Sequence, residues 1–267
     1  MNDPSFSNKV VIVTGASSGL GCELALALAQ KGARLALAAR STTALEGLAQ
    51  KIRSTGAQAL AVPTDMTNRE QVDHMVSETV QHYVRVDVLI SNAGQYIRSP
   101  IAQVTPDLLA RSMAVNFYGA VYAVLGVMPV MQKQASGHIA LVLTMDVKTP
   151  MVQDAPYVAA KSALSGFGEV LRQELKGSGI HVTEIYPGRI DTPMISHLRF
   201  SWVSPKMDPS YVAGAILSGI ARRKQRIILP SQANLLNLIN FLSPSLADRL
   251  AREFHLQGWS MEEPDRQ

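Results

Sequence analysis

The sequence has one cysteine, few charged side chains and no long uninterrupted apolar run. The single cysteine, Cys22, excludes an intrachain disulfide and suits a reducing compartment such as the cytoplasm. Charged residues make up 17% of the chain and hydrophobic residues 47%, which excludes a disordered protein. No run reaches the roughly 20 apolar residues that span a bilayer, and the first residues, MNDPSFSNK, do not resemble a signal peptide. We therefore expect a cytoplasmic protein without a transmembrane segment.

Metal and nucleic-acid sites also lack support in the sequence. None of the six histidines stands at metal-ligand spacing from another histidine or from the cysteine, so no metal site is predicted. The net charge of +4 is scattered, which suits small anionic ligands better than nucleic acid. The basic cluster at 222–226 is interpreted as a solvated helix end, because cations favour helix C-termini. The length fits one domain, which we divide into a catalytic part at 1–230 and a helical extension at 231–267.

The run VVIVTGASSGLG at 10–21 joins an apolar strand to a glycine-rich turn. Four β-branched residues in succession predict a strand covered on both faces, as in a parallel sheet. Gly15, Gly19 and Gly21 then lead into a helix, where backbone amides and the helix dipole can bind a pyrophosphate. Their spacing, T-G-x-x-x-G-x-G, differs by one residue from the dinucleotide fingerprint G-x-G-x-x-G. A glycine-rich turn that binds nothing is the alternative interpretation.

Strand and helix patterns alternate along the rest of the chain. Strands are predicted at 10–13, 34–39, 57–62, 86–91, 138–144, 180–186 and 226–229. Helices are predicted at 20–30, 43–53, 68–83, 107–132 and 157–176. This alternation implies right-handed crossovers and a single-domain α/β fold. We expect a doubly wound, Rossmann-like parallel sheet of seven strands, followed by a short helical C-terminal tail.

Polar residues at the ends of these elements are candidate ligand-binding residues. Arg40 follows the second strand without a nearby carboxylate, which favours the 2′-phosphate of NADP(H), although an ordinary surface arginine is the alternative. Asp65 either caps the next helix or contacts an adenine. The run Asn-Ala-Gly at 92–94 leaves room for a ligand or forms a plain tight turn. Asn116, in an apolar helix, makes a structural hydrogen bond or holds a catalytic water.

Tyr157 and Lys161 stand four residues apart and so share one helix face. A nearby ammonium favours the phenolate and lowers the pKa of a tyrosine toward the working range for proton transfer. Thr144 precedes them at the carboxyl end of a predicted strand, where ligands of parallel sheets bind. A lone Y-x-x-x-K pattern occurs by chance in many helices, so the pair gains meaning only from the other motifs.

Five ordered motifs together resemble the short-chain dehydrogenase/reductase family. They are TGASSGLG at 14–21, Asn-Ala-Gly at 92–94, Asn116, Tyr157-x-x-x-Lys161 and Pro187-Gly188…Thr192, within about residues 7–230. The resemblance implies that Tyr157 is the general acid or base, that Lys161 lowers its pKa and holds the nicotinamide ribose, and that Asn116 positions a relay water. It thereby favours the functional interpretation of Asn116, and likewise places Asp65 near the adenine. The implied catalytic residues are Asn116, Thr144, Tyr157 and Lys161.

The resemblance also implies a cofactor site for NADP(H). Its residues would be Gly15, Ser17, Ser18, Gly19, Leu20, Gly21, Arg40, Ser41, Asp65, Met66, Asn92, Ala93, Gly94, Tyr157, Lys161, Pro187, Gly188, Ile190 and Thr192. Two residues depart from the family pattern. Thr144 replaces the usual serine, which keeps the hydroxyl donor but adds a methyl group that narrows the pocket. Ser18 stands where many NADP-preferring members have a basic residue, so Arg40 would hold the phosphate with Ser17 and Ser41.

These observations predict an NADP(H)-dependent oxidoreductase that interconverts a carbonyl and a secondary alcohol. A catalytically weak NADP(H)-binding sensor or scaffold is the main alternative, and a sugar-nucleotide epimerase is disfavoured by the glycine spacing. The resemblance places a substrate lid at 194–207, and this segment is apolar and aromatic here. We therefore expect an apolar small-molecule substrate, with a pocket that three methionines can line: Met145, Met151 and Met194. Asp146 and Lys148 either select a polar substrate or pair with each other, and Arg98 is equally ambiguous.

The resemblance further implies a homodimer or homotetramer that pairs through the helices at 107–132 and 157–176. In the tail, two apolar stripes are expected to be buried beside the lid or at a subunit boundary: Leu235, Ile239 and Leu242, then Leu246, Leu250 and Phe254. Contact with a membrane surface is the less favoured alternative. Its support is weak because acidic residues match the basic ones in the second stripe.

Overall fold

Seven parallel strands form the central sheet of the computed structural model, which describes residues 5–260. In chain order they are β1 (Val10–Thr14), β2 (Arg34–Ala39), β3 (Gln58–Pro63), β4 (Val88–Ser91), β5 (Gly137–Val142), β6 (Ile180–Pro187) and β8 (Arg226–Leu229). Their spatial order is β3-β2-β1-β4-β5-β6-β8, so the order reverses between β1 and β4. A separate antiparallel ribbon pairs β7 (Leu198–Arg199) with β9 (Trp259–Ser260). The predicted seven-stranded α/β fold is confirmed.

Helices cover both faces of the sheet. One core contains side chains of α1 (Gly19–Gln30), α2 (Thr42–Arg53) and α7 (Pro209–Ala221), and the other those of α3 (Arg69–Tyr83), α5 (Gly119–Gln134) and α6 (Ala155–Glu174). Within β1, Val11 and Val13 belong to the first core and Ile12 to the second, and all three are completely buried. A strand buried on both faces accounts for the unbroken β-branched run in the sequence.

The helix predicted at 107–132 is interrupted in the structure. It consists of α4 (Pro106–Met113), a π-helical turn (Ala114–Tyr118) and α5, which continues through Pro129. The turn contains Asn116, which is completely buried. Its side-chain oxygen accepts a hydrogen bond from the Gln95 amide at 3.0 Å, and its nitrogen donates to the Gln95 carbonyl at 2.9 Å. A π-helical turn adds one residue to the helix, and the prediction of a regular helix was wrong at this point.

The joined helix Pro106–Gln134 is the only stretch of the described chain that is long and apolar enough to cross a membrane, with 29 residues and a mean hydropathy of 1.6. Its polar Asn116 hid it from a search for uninterrupted apolar runs. The inner face of its second half, including Ala123, Val124, Val127 and Met131, is completely buried in the second core. Long core helices meet the same length and hydropathy criteria, and this helix packs as one.

The tail continues in α8 (Ala233–Leu242) and α9 (Pro244–Glu253). The helix α8 meets the domain through amides: Thr149 donates to the Asn237 side-chain oxygen at 2.8 Å, and Asn240 donates to the Lys148 carbonyl at 3.0 Å. Leu235 and Leu242 are 65% and 71% exposed, so this apolar stripe is not buried within the described chain, and its burial at a subunit boundary stays a prediction. Leu246 and Phe254, in the second stripe, are also exposed. The end of the predicted extension, 261–267, lies outside the described residues.

Candidate active site

A cavity of about 740 Å³ opens at the carboxyl ends of the strands, beside the point where the strand order reverses. Ligands of open α/β sheets bind at this position. The predicted cofactor and catalytic residues that line it are Gly15, Ser17, Ser18, Gly19, Leu20, Arg40, Ser41, Asp65, Met66, Asn92, Ala93, Gly94, Thr144, Tyr157, Lys161, Pro187, Gly188, Ile190 and Thr192. Of the predicted set, Gly21 and Asn116 lie behind this lining.

The turn between β1 and α1 fits an anionic group. Gly19 has a φ of +52°, and a Cβ there would come within 2.9 Å of Thr192 Cγ2. A Cβ on Gly21 would collide with the Gly15 carbonyl oxygen, so these glycines allow the turn to close. Ser18 is the N-cap of α1, but its side chain makes no capping hydrogen bond. The first amides of α1 therefore have no side-chain acceptor from the cap, at the end of the helix where a phosphate would bind.

Thr14 and Asn92 join the ends of β1 and β4 beneath the cavity. The Thr14 hydroxyl accepts hydrogen bonds from the backbone amides of Asn92 and Ala93, each at 3.0 Å. The Asn92 side chain donates to the Thr14 carbonyl at 3.0 Å. These contacts fix the small residues at 92–94 against the glycine turn, which is what leaves space for a ligand between the two strands.

Arg40, Ser41 and Asp65 line the far end of the cavity, next to β2 and β3. Asp65 does not cap the following helix, contrary to the simpler expectation, because Asn68 accepts the capping hydrogen bond from Gln71 at 3.1 Å. The Asp65 carboxylate instead accepts from the amide and hydroxyl of Thr67 at 2.9 and 2.8 Å. These hydrogen bonds, with a smaller contribution from the Arg40 guanidinium, hold the pKa of Asp65 below its usual value.

Tyr157 and Lys161 extend from α6 into the other half of the cavity. Lys161 is buried, and its ammonium donates to the Val142 carbonyl at 2.7 Å and lies 6.0 Å from the centre of the Tyr157 ring. Burial lowers the pKa of Lys161 to about 8. Burial, together with the carboxylates of Asp146 and Asp154, raises the pKa of Tyr157. In this structure burial and two negative neighbours set the direction of the shift, and the Thr144 hydroxyl, not Lys161, opposes it.

Thr144 lies after β5 and is paired with Asp146. Its hydroxyl donates to Asp146 Oδ2 at 2.8 Å and accepts from the Asp146 amide at 3.2 Å. The hydroxyl that was expected to face a substrate oxygen thus has a carboxylate acceptor. Asp146 and Lys148 do not pair: the Lys148 ammonium lies over the Tyr186 ring, 4.9 Å from its centre.

Residues 9–200 match the sequence model of the short chain dehydrogenase family. The chain belongs to this family. A fatty acyl-CoA reductase of Acinetobacter baylyi is 34% identical over 221 residues, which cover 82% of this chain and 75% of that protein. A dehydrogenase/reductase SDR family protein 7-like of Drosophila melanogaster is 32% identical over 253 residues, covering 89% and 78%. A short chain dehydrogenase/reductase of Burkholderia phymatum in complex with NAD has a TM-score of 0.84 at 22% identity, covering 91% and 96%, and shares the fold.

The family motifs do not include an ionic group that lines the substrate half of this short-chain dehydrogenase. Tyr96 donates to Asp154 at 2.6 Å, and the same carboxylate oxygen lies 3.5 Å from Arg98 Nε. Burial, opposed by the Tyr96 hydrogen bond, raises the pKa of Asp154 to about 7. Arg189 donates to the Leu256 carbonyl and the Ser204 hydroxyl. The signals in the sequence were the ambiguous Arg98, the closeness of Asp154 to Tyr157, and the closeness of Arg189 to the Pro187-Gly188 motif.

Apolar side chains complete this half of the cavity in the short-chain dehydrogenase. Its lining includes the three methionines singled out from the sequence, Met145, Met151 and Met194, together with Phe200, Leu236 and Leu256. The last two belong to the tail, so residues beyond 230 contribute to the wall. Within residues 5–260, no three His, Cys, Asp or Glu side chains are placed to hold a metal ion.

Proposed function

We propose that this chain is an NADP(H)-dependent oxidoreductase that interconverts a small-molecule carbonyl compound and a secondary alcohol. The observation that carries the proposal is one cavity lined both by the glycine turn of α1 and by Thr144, Tyr157 and Lys161. A nicotinamide cofactor supplies the hydride in such a reaction. The chain's own residues would bind the cofactor, orient the carbonyl and transfer the proton.

The glycine turn and the first amides of α1 would hold the pyrophosphate. Asp65 would lie near the adenine, Asn92 near its ribose, and Lys161 would bind the nicotinamide ribose. The backbone of Ile190 and the hydroxyl of Thr192 would hold the carboxamide. These assignments come from the family resemblance, and the lining of the cavity by all five residues supports them.

The preference for NADP(H) rests on Arg40. It is exposed at the end of β2, beside Ser41, and no carboxylate ends that strand. A guanidinium pairs with a phosphate through charge-assisted hydrogen bonds, whereas a ribose hydroxyl is bound best by an acid at this position. The Burkholderia protein was crystallised with NAD, at an identity that conveys only the fold.

Tyr157 would give its proton to the substrate oxygen during reduction and take it back during oxidation. Its raised pKa leaves the phenol protonated at neutral pH, as in an ordinary tyrosine, so the hydroxyl can donate the proton that reduction requires. Asn116 is buried behind the lining, and the family resemblance implies that it would hold a relay water. The wall methionines and Phe200 would contact the apolar part of the substrate, in agreement with the fatty acyl-CoA reductase name of the Acinetobacter relative.

A catalytically weak NADP(H)-binding sensor is the second candidate. One observation favours it: the Thr144 hydroxyl donates to the Asp146 carboxylate, so the donor expected for a substrate oxygen is already in use. The oxidoreductase remains the better-supported proposal because Tyr157 and Lys161 both line the cavity.

The deciding experiment screens aldehydes, ketones and alcohols with the purified protein while NADPH or NADH absorbance is followed. We expect turnover of at least one carbonyl compound and a lower Kd for NADPH than for NADH in fluorescence titrations. Cofactor binding without turnover of any compound would support the sensor. Tighter binding of NADH would refute the cofactor assignment.

We further propose a cytoplasmic homodimer or homotetramer whose extension at 231–267 forms part of the pocket wall. Exposed apolar side chains on the helices expected at the interface support the assembly: Leu109, Tyr118, Leu125 and Val170. Such side chains are covered when helices of two subunits pack together. The localisation is supported by the single cysteine, Cys22, which cannot form an intrachain disulfide.

A further inference from the structure

Asp146 places a carboxylate on the wall of the cavity, next to the reacting groups. It lies in the short turn Met145–Val147 between β5 and α6, two residues after Thr144. The reciprocal hydrogen bonds with Thr144 fix both its backbone and its Oδ2 atom. The orientation of the carboxylate is therefore set by the fold.

The second carboxylate oxygen has capacity for a ligand. Across residues 5–260 no hydrogen bond reaches Asp146 Oδ1, although an ionised carboxylate accepts up to four. Burial raises the pKa of Asp146, and the Thr144 hydrogen bond and the nearby guanidiniums of Arg189 and Arg98 oppose that shift. Both guanidiniums are engaged elsewhere, Arg98 with the Gly258 carbonyl at 3.3 Å and with Asp154, and Arg189 with the tail and Ser204.

A wholly apolar substrate would cover this oxygen with hydrocarbon. A buried polar atom without a hydrogen bond is destabilising, and more so when it is charged. A donor on the substrate removes this cost, and the Tyr157 hydroxyl on the same cavity limits where the donor can be. The substrate donor has to lie close to the carbonyl carbon, because Asp146 is hydrogen-bonded to Thr144, which is expected to face the carbonyl oxygen.

We propose that Asp146 determines substrate specificity by accepting a hydrogen bond from a hydroxyl or amino group adjacent to the reacting carbonyl. The proposal rests on the proposed function and corrects the expected substrate: an apolar body with one polar donor beside the carbonyl. The hydrogen bond from Thr144 stays on Oδ2, because the substrate donor would use Oδ1.

Three matched ketones test the proposal: benzylacetone, its derivative with a hydroxyl on the terminal methyl carbon, and the methyl ether of that derivative. The ether keeps the oxygen acceptor and lacks the donor. For the parent protein with saturating NADPH we expect kcat/KM for the hydroxyketone to exceed that for the ether by about 10–100-fold, as for a hydrogen bond to a charged group.

Two variants and a control locate the effect. Asp146→Asn keeps the shape and removes the charge, and Asp146→Ala removes the acceptor, so the preference should shrink in the first and vanish in the second. Asp248→Asn removes a carboxylate from the exposed face of α9 and should keep the full preference. An unchanged Kd for NADPH shows that each variant is folded.

Turnover of all three ketones at equal kcat/KM by the parent would refute the role of Asp146 and leave the proposed function standing. Retention of the preference by Asp146→Ala would refute it as well. Where no ketone is turned over, calorimetry on the NADPH-saturated parent decides. Equal affinity for hydroxyketone and ether overturns the proposal, and tighter binding of the hydroxyketone that Asp146→Ala abolishes supports it.

Discussion

Replacement of Thr144 by valine separates two roles of its hydroxyl: the hydrogen bonds that it makes with Asp146, and the expected donation to a substrate oxygen. Valine has nearly the same shape, and Thr144 is buried at the end of β5, so the change removes a hydroxyl and leaves no cavity. Two contacts are lost: the donor to Asp146 Oδ2 at 2.8 Å and the acceptor for the Asp146 amide at 3.2 Å. Both contacts are present without a substrate, so their loss affects the stability of the folded protein.

The size of the two effects differs. A hydrogen bond to a charged group is worth about 1.5–3 kcal/mol, so the free energy of unfolding of Thr144→Val should fall by about that amount. A lost oxyanion donor costs about 10²–10³ in kcat, because its contact strengthens as charge develops on the substrate oxygen. A stability loss of this size leaves nearly all molecules folded in a typical domain. A fall in kcat of about 10²–10³ would therefore reflect lost stabilisation of the transition state and not unfolding.

The assay measures kcat and KM for the best carbonyl substrate with saturating NADPH, alongside urea unfolding. Thr144→Ser is the matched control, since it keeps the hydroxyl and should retain or raise turnover. Tyr157→Phe sets the scale: it should lose more activity than Thr144→Val while cofactor binding largely survives. Equal turnover of Thr144→Val and the parent would show that the hydroxyl is idle and that its only role is to hold Asp146.

Four further outcomes follow from the structure. Arg40→Asp should reverse the cofactor preference, by about 10–150-fold in the ratio of Kd values, and an unchanged ratio in titrations would refute the phosphate contact. Sedimentation at micromolar concentration should show a dimer or tetramer, and a monomer alone would refute the assembly. Truncation after Ser231 removes Leu256 from the cavity wall and should lower stability and alter KM; unchanged stability and activity with lost pelleting on liposomes would instead indicate membrane attachment. Burial raises the pKa of Asp154 to about 7, so between about pH 4 and pH 7 the folded protein holds a proton that the unfolded chain has lost, and the stability of the parent falls as pH rises. Asp154→Asn has no such proton, so its stability should gain up to about 1.4 kcal/mol on the parent for each pH unit in that window, as measured by urea unfolding. A difference in stability that stays constant with pH would contradict the raised pKa.

The parallel sheet was predictable because its signals are local. The run Val10–Thr14 is apolar at every position, and only a strand covered on both faces accommodates that. The glycines after it are required by backbone geometry, as at Gly19 with its φ of +52°. Strand ends differ from the prediction by one or two residues, since periodicity does not indicate where a hydrogen-bonded ladder ends.

The ionic group around Tyr157 was not predictable in the same way. Tyr96, Asp154 and Arg189 come from three separate loops, and their contacts depend on the fold that brings the loops together. The π-helical turn at Ala114–Tyr118 and the ribbon of β7 with β9 have equally weak local signals, because each depends on contacts with distant segments. Charge around a catalytic group is a collective property, which explains why the two-residue motif of Tyr157 and Lys161 does not by itself determine the tyrosine pKa.

The helix α8 shows why an apolar stripe predicts burial but not its partner. Burying one leucine is worth about 1.5–3 kcal/mol, and a buried amide without a hydrogen bond costs about 1–3 kcal/mol. Because these two free energies are similar, the rotation of α8 depends on which hydrogen-bond partners the domain presents to it. The loop before α6 offers the Thr149 hydroxyl and the Lys148 carbonyl, which two asparagines satisfy, and Leu235 and Leu242 then remain at the surface. The same rotation turns Leu236 toward the cavity. The exposed leucines and the pocket wall therefore lie on different sides of α8.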